Sequence, residues 1–248
     1  MTRHALSSAQ RREAIEKRRP SWVPRTLAGA LDDACADVAD RPFVVTEDGA
    51  WTYAQMRDWA DRLAGGLAGL GVGPGDHVAV VLANYAEFVA ARYAIARLGA
   101  VTVPINVANR TAELGFIVRR SDASVLITMD HFRGLDYLAM LDDLGEDAFP
   151  ALRHVVVHPT GHGEPRGVRT LADLADAEPV AEPGGHPDDV ADVLFTSATT
   201  GGPKGVQLTH DMCCAPPTAP RGAAPTPTHT AWCSRCRCST STATSRDC

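Results

Sequence analysis

Between positions 196 and 205 the chain reads Thr-Ser-Ala-Thr-Thr-Gly-Gly-Pro-Lys-Gly, which places four hydroxyls, three glycines and one ammonium within ten residues. Glycines let backbone N–H groups converge on a concave anion site, and the hydroxyls and the cation add side-chain donors. Such a donor set suits a polyphosphate. Each charge-assisted hydrogen bond of this kind contributes about 1.5–3 kcal/mol. A Gly/Thr loop taken alone is more often a polar surface turn. Lys204 shifts that balance, because the chain has 22 arginines and only two lysines, Lys17 and Lys204. A compact, mobile ammonium that commonly serves phosphate stands where this chain otherwise uses a guanidinium. No Gly-Lys-Ser/Thr occurs in the sequence, so the loop is not a Walker A motif.

Other residues with possible chemistry carry less. His154, His158 and His162 recur every four residues, but they fall on a strand that runs into Pro159 and Gly161. On a strand His154 and His158 would stand about 13 Å apart, too far for one ion. Asp142, Asp143, Glu146 and Asp147 fit a solvated helix face. Cys35 lies on an apolar helical stripe and reads as core. His229, Cys233, Cys236 and Cys238 contain one C-x-x-C without a second spaced pair, a poor match to a zinc site. No metal ligands are assigned.

The elements that must position the loop alternate between helix and strand. Leu27, Leu31, Ala34 and Val38 form a helical stripe. Residues 43–46 and 51–53 predict a hairpin around Glu47-Asp48-Gly49. Thr52 and Gln55 stand in capping-box spacing, opening a helix with Met56, Leu63, Leu67 and Leu70 inward and a stop at Gly71. A strand follows over 77–82. Asn84 and Glu87 are the expected caps of the next helix, which carries Phe88, Ile95 and Leu98 before Gly99. Strands are expected at 101–103, 124–128 and 154–157, with helices from about Thr111 and Leu135. Residues 177–189 read as a Pro/Gly-rich linker, followed by an apolar strand over 190–195, the hydroxyl-rich loop, and a short strand over 205–208. This alternation predicts an α/β fold, a mostly parallel sheet with flanking helices on both faces.

Composition bounds the function. The 248 residues are 45% hydrophobic and 22% charged, enough apolar material for a packed core. The net charge of −6 argues against binding nucleic acid through its phosphates. No apolar run approaches the ~18 residues of a membrane span, and the first twenty residues lack the apolar core of a secretory signal. Six of the seven cysteines lie beyond Met212, so a disulfide framework is not expected and a cytoplasmic location is.

The stretch from Asp189 to His210, DVADVLFTSATTGGPKGVQLTH, closely resembles the phosphate-binding signature of adenylate-forming enzymes, the acyl-CoA synthetase and luciferase superfamily. Upstream, residues 51–106 resemble the same family, with its G-V-x-x-G-D turn, an apolar strand ending at Asn84, and Gly-Ala-Val-x-x-Pro after a helix. The likeness spans about residues 22–211. It implies the N-terminal portion of that family's large domain, truncated just after the phosphate loop. It also implies an ATP-dependent ligase that joins a small-molecule carboxylic acid, expected to be a fatty acid, to coenzyme A through an acyl-adenylate with Mg²⁺. An aryl-acid or carrier-protein adenylation enzyme of the same superfamily, or a non-catalytic fragment, are the alternatives. By position, Thr196, Ser197, Ala198, Thr199, Thr200, Gly201 and Lys204 would surround the β- and γ-phosphates. The family's catalytic lysine and its adenine and ribose contacts lie further along and have no counterpart here, so catalytic residues stay unassigned and the chain is expected to be inactive by itself.

The implied organisation is a flexible basic arm over 1–21, an α/β subdomain over 22–176, the linker over 177–189, the start of a second subdomain over 190–212, and an aberrant tail over 213–248. Beyond Met212 there is no Leu, Ile, Val, Phe or Tyr, so the tail is expected to be disordered. GC-rich codons for Cys233–Cys248, read from their third nucleotide, give LPLPLFHVYGYVEGL, which resembles the family's next segment and points to a frameshift near Met212.

Ala198 stands where the family nearly always has glycine. A backbone that needs positive φ there would make a Cβ cost about 1 kcal/mol. Ala198→Gly, in a full-length context, is expected to tighten ATP binding; a titration showing unchanged or weaker binding refutes this.

Overall fold

A computed structural model describes residues 13, 23–47, 49–161, 168–180, 182–196 and 203–215. Its centre is a six-stranded sheet in the order β10-β9-β4-β3-β5-β8. The strands are β3 (His77–Val81), β4 (Val101–Pro104), β5 (Val125–Met129), β8 (His154–His158), β9 (Val190–Thr196) and β10 (Lys204–Thr209). All neighbours run parallel except the β9–β10 hairpin. A hairpin of β1 (Pro42–Val45) and β2 (Ala50–Thr52) stands apart, as does the small pair β6 (His131–Phe132) and β7 (Leu135–Asp136). The helices are α1 (Leu27–Val38), α2 (Tyr53–Gly69), α3 (Ala86–Arg97), α4 (Thr111–Arg120), α5 (Tyr137–Leu144), α6 (Leu171–Leu174) and α7 (His210–Cys214). The α/β class and the mostly parallel sheet are those the sequence predicts. Among the described residues, no helix is long and apolar enough to cross a membrane.

Local chemistry sets the helix ends. The Thr52 hydroxyl accepts from the Gln55 N–H at 3.2 Å, and the Gln55 side chain accepts from the Thr52 N–H at 2.8 Å, the reciprocal pair that starts α2. Both α2 and α3 stop on a glycine at positive φ, Gly71 and Gly99, where the next N–H reaches back to a carbonyl of the last turn (Val72 to Leu67, Ala100 to Ile95). Two expectations need correction. Tyr85, not Asn84, is the N-cap of α3, and it makes no side-chain cap. A tight turn with the Tyr85 N–H on the Ala83 carbonyl delays the helix by one residue. Glu87 lies in the first turn of α3, where its charge favours the helix dipole. Leu135 does not open a helix but pairs with Phe132 in β7; α5 begins at Tyr137, capped by the Asp136 carboxylate on the Ala139 N–H.

Strands β3 and β5 are buried nearly throughout, so both sheet faces are covered. The crossover from β3 through α3 to β4 runs one way across the sheet, and that from β4 through α4 to β5 runs back. Right-handed connections therefore put α3 and α4 on opposite faces. Helices α1, α2 and α3 are joined by Arg97, 2% exposed, which gives Nη1 and Nη2 to the two oxygens of Asp32 at 2.7 and 2.8 Å and Nε to Asp61 at 2.7 Å. Burial pushes the Asp61 carboxyl up despite the adjacent guanidinium.

The Pro/Gly-rich segment 177–189 does not hang free between parts. The Val180 N–H donates to the Asp61 carbonyl and the Gly184 N–H to the Arg97 carbonyl, so the segment is strapped across α2 and α3. It delivers the chain to β9, which continues the sheet begun by β3, β4 and β5. The approach is close: a Cβ on Gly65 would collide with the Glu178 carbonyl of this segment and one on Gly66 with the Leu174 carbonyl at the end of α6, whereas one on Gly69 meets nothing within 4 Å. Gly66→Ala should therefore cost about 1–3 kcal/mol through overpacking against backbone, and Gly69→Ala should be neutral or gain up to about 1 kcal/mol. Urea midpoints of the two variants check this; equal midpoints would contradict the close packing.

Candidate functional site

The loop of interest is carried by the β9–β10 hairpin. Thr196 closes β9, Lys204 opens β10, and the two are direct partners in the antiparallel ladder. Directly opposed residues share a face of a sheet, so the hydroxyl and the ammonium emerge side by side, both exposed. The Thr196 hydroxyl reaches the Lys204 carbonyl at 3.5 Å. Because β9 is parallel to β3, β4, β5 and β8, this hairpin mouth lies at the carboxyl edge of the sheet, the edge where open α/β sheets bind ligands. Ser197, Ala198, Thr199, Thr200, Gly201 and Gly202 lie outside the described residues.

Position of the hairpin depends on a buried charge that sequence reasoning missed. Asp192, 4% exposed, lies in the middle of β9. Its carboxylate accepts from Arg92 of α3, Nε at 3.2 Å and Nη2 at 2.5 Å, and from the Cys213 thiol at 3.2 Å. Burial works against the Arg92 charge, but Asp192 outweighs it through charge and hydrogen bonding, so the guanidinium pKa lies above its ordinary value. Burial pushes the Cys213 thiol up, which makes it a donor to the carboxylate and a poor nucleophile. Along this face of β9 follow Leu194 and then Thr196, opposite Leu208, Val206 and Lys204. Leu194 and Val206 are exposed, so an apolar pair lies directly beneath the Thr196–Lys204 pair.

Cys213 and Cys214 were expected in a disordered tail. They instead complete α7, capped by the Thr209 hydroxyl on the Met212 N–H, with Cys214 buried. Burial holds Cys214, whose thiol behaves as a small apolar group, and the bond to Asp192 holds Cys213. Residues 216–248, which contain His229 and the C-x-x-C, lie outside the described residues, as do Asp48, His162 and most of the N-terminal arm.

A second polar group occupies the ends of β5 and β8. Asp130 Oδ1 accepts from the Thr160 N–H at 2.9 Å, the Thr160 hydroxyl at 2.6 Å and the His131 N–H at 2.7 Å. Burial opposes the Asp130 charge, but these bonds outweigh it and hold the carboxyl below the usual range. His158 is half-buried, with its ring 5.1 Å from that of Tyr85. Cys35 is buried, and burial raises its thiol. Among the described residues no three His, Cys, Asp or Glu side chains could hold a metal ion.

Removing one member of the buried pair should be far worse than removing both. Asp192→Ala is expected to lose about 3–5 kcal/mol by stranding the Arg92 charge, while Arg92→Met with Asp192→Leu recovers most of it. A double-mutant cycle in urea tests this, and additive losses would contradict it.

The family model described as AMP-binding enzyme matches residues 31–233. Salicyl-AMP ligase/salicyl-S-ArCP synthetase of Mycobacterium tuberculosis is 36% identical over 201 residues, 77% of this chain and 34% of that protein. Two solved structures share the fold. The anthranilate CoA ligase AuaEII in complex with anthranoyl-AMP has a TM-score of 0.71 at 27% identity, covering 79% of this chain and 36% of its own. A Mycobacterium tuberculosis fatty acyl CoA synthetase has a TM-score of 0.64 at 28% identity, covering 76% and 35%. The chain spans about a third of the length of the curated relatives it matches.

Proposed function

Because this chain belongs to the AMP-binding enzyme family, whose matched members are adenylate-forming ligases, we propose that it carries the triphosphate-binding part of an ATP-dependent carboxylic acid–CoA ligase. The acid is a fatty or other apolar acid, and activation proceeds through an acyl-adenylate. The observation that supports this most directly is the opposition of Thr196 and Lys204 at the mouth of the β9–β10 hairpin. In the proposed reaction the acid's carboxylate displaces pyrophosphate from the α-phosphorus. The chain's own contribution is to hold that leaving group in line and to neutralise its growing charge. The Lys204 ammonium would meet the β- and γ-phosphate oxygens, with the Thr196 hydroxyl and the loop hydroxyls of Ser197, Thr199 and Thr200 donating beside it.

Mg²⁺ supplies further neutralisation when bound. An ion that keeps several waters and takes one or two protein oxygens while riding on phosphate fits a hairpin mouth whose described oxygen donor is the Thr196 hydroxyl. The thiol acceptor is proposed to be coenzyme A. The salicyl-AMP ligase likeness favours one second reading, an aryl acid delivered to a carrier protein.

Isothermal titration of the 248-residue chain with inorganic triphosphate tests the phosphate assignment. Binding should weaken at least about tenfold in Lys204→Ala, the loss of one charge-assisted contact; equal affinity removes Lys204 from the site. ATP–pyrophosphate exchange should be absent from this chain and appear with fatty acids once the coding frame is restored past Met212. Exchange with salicylate-type acids alone would select the second reading, and exchange by the unmodified chain would overturn its inactivity.

A further inference from the structure

We propose that His210 is a positioning residue for the triphosphate hairpin: its imidazole pins the C-terminal end of β10 to the start of α1 and thereby fixes which residue of β9 Lys204 opposes. The inference rests on the assignment of Lys204 to triphosphate. Strand β10 is the outer strand of the sheet, with Lys204 to Gln207 exposed. On the face that carries Lys204, the neighbouring pair Leu194 and Val206 is exposed too. A strand with little burial on one face has a weakly specified register, and a slip of one residue would turn Lys204 to the opposite face from Thr196. Gly205 gives one steric check, since a Cβ there would lie 3.0 Å from a Val193 methyl. The other check lies at the far end of the strand.

There, His210 is fully buried. The Leu27 N–H, at the start of α1, donates to its Nδ1 at 3.3 Å across 183 residues of sequence. Backbone bonds tie the same corner to the strap: the His210 N–H donates to the Asp189 carbonyl at 3.0 Å, and the Asp211 N–H to the Pro187 carbonyl at 2.9 Å. The ladder is also irregular here, passing from Leu208–Asp192 to Thr209–Val190, so the register is reset beside the anchor. Because Nδ1 accepts, the proton of the neutral ring resides on Nε2, a buried atom with no hydrogen-bond partner among the described residues. A second proton would have to enter at Nδ1, facing the Leu27 N–H, and would break the pin. The charged groups around the ring are Asp192 on β9, Asp189 on the strap and Arg92 on α3.

Burial is the largest influence on the ring and holds its pKa below the ordinary histidine value. The folded, pinned state therefore binds fewer protons than the unfolded chain. Its stabilisation is present above about pH 6.5 and is lost as pH falls from there through the depressed folded value.

Asparagine places an amide oxygen near the position of Nδ1 and does not titrate, so His210→Asn preserves the pin while His210→Ala removes it. Two readouts separate register from stability: the cross-strand nuclear Overhauser contacts between Thr196 and Lys204, and affinity for inorganic triphosphate, both well below the melting midpoint. At pH 7.5 the wild type and His210→Asn should keep the contacts, and His210→Ala should lose them with about a tenfold drop in affinity. On stepwise acidification below about pH 6.5 the wild type should come to follow His210→Ala at a pH where His210→Asn still keeps the contacts. Triphosphate itself titrates in this range, and the His210→Asn profile supplies the reference. Retention of contacts and affinity in His210→Ala overturns the proposal, as do identical pH profiles for the wild type and His210→Asn. Should His210→Ala fail to fold, the latter comparison decides. A Lys204→Ala variant with unchanged affinity would sink the triphosphate reading, while the contacts would still test the pin.

Discussion

The Arg92–Asp192 ion pair is the interaction on which the geometry of the hairpin depends. Strand β9 shares one register pair with its parallel neighbour, Thr102 with Asp192, so the ladder alone attaches it to the sheet along a short length. The same aspartate reaches α3 through Arg92 and α7 through Cys213. A single buried carboxylate thus ties the strand that leads into the loop to a helix behind it and to the helix that follows the loop. Two isolated charges in that position would cost several kcal/mol each. Paired with two hydrogen bonds, they become a specific contact that an apolar residue at position 192 could not replace with the same directionality.

Much of the frame was legible in the sequence because it is written in short-range chemistry. The Thr52–Gln55 box, the glycines that end α2 and α3, the apolar runs of β3, β5 and β8, and the hydroxyl-rich loop between two strands all depend on residues within a few positions of one another. What was not legible depends on distant partners. Asp192 reads as a polar interruption in VADVLF until Arg92, a hundred residues earlier, is brought beside it. His210 reads as the end of a motif until the Leu27 N–H reaches it. The segment 177–189 has the composition of a linker, and nothing in its own residues shows that Gly65 and Gly66 of α2 have no side chains so that residues 174–178 can approach. Likewise Asn84 is a good cap by type, yet a turn through Ala83 moves the helix start past it.

Of the seven residues expected to surround phosphate, Thr196 and Lys204 are placed, and they are placed together. Six positions separate the hydroxyl from Pro203, and the hairpin ladder fixes both ends of that span. An anion held there would receive one donor from each strand end. Lysine suits this position better than the arginine used elsewhere, because a mobile point charge can follow a phosphate whose geometry changes, whereas a planar fork favours one fixed carboxylate-like partner.

The location of the hairpin at one edge also has a physical reason. In an open α/β sheet the usual ligand crevice lies where successive crossovers diverge, which here is between β3 and β5. Beside it the chain's own polar groups gather: Asp130 is engaged by Thr160 and His131 at the ends of β5 and β8, and Tyr85 leans on His158. The Asp130 charge there repels an incoming anion. At the end of β9 the situation is reversed. Thr196 and Lys204 are exposed, the acid nearest along the strand is already neutralised by Arg92, and Leu194 and Val206 keep the ground beneath the hairpin apolar. Among the described residues this sets an exposed ammonium beside apolar surface with the neighbouring carboxylate engaged by Arg92, a setting that favours the triphosphate contact proposed for Lys204.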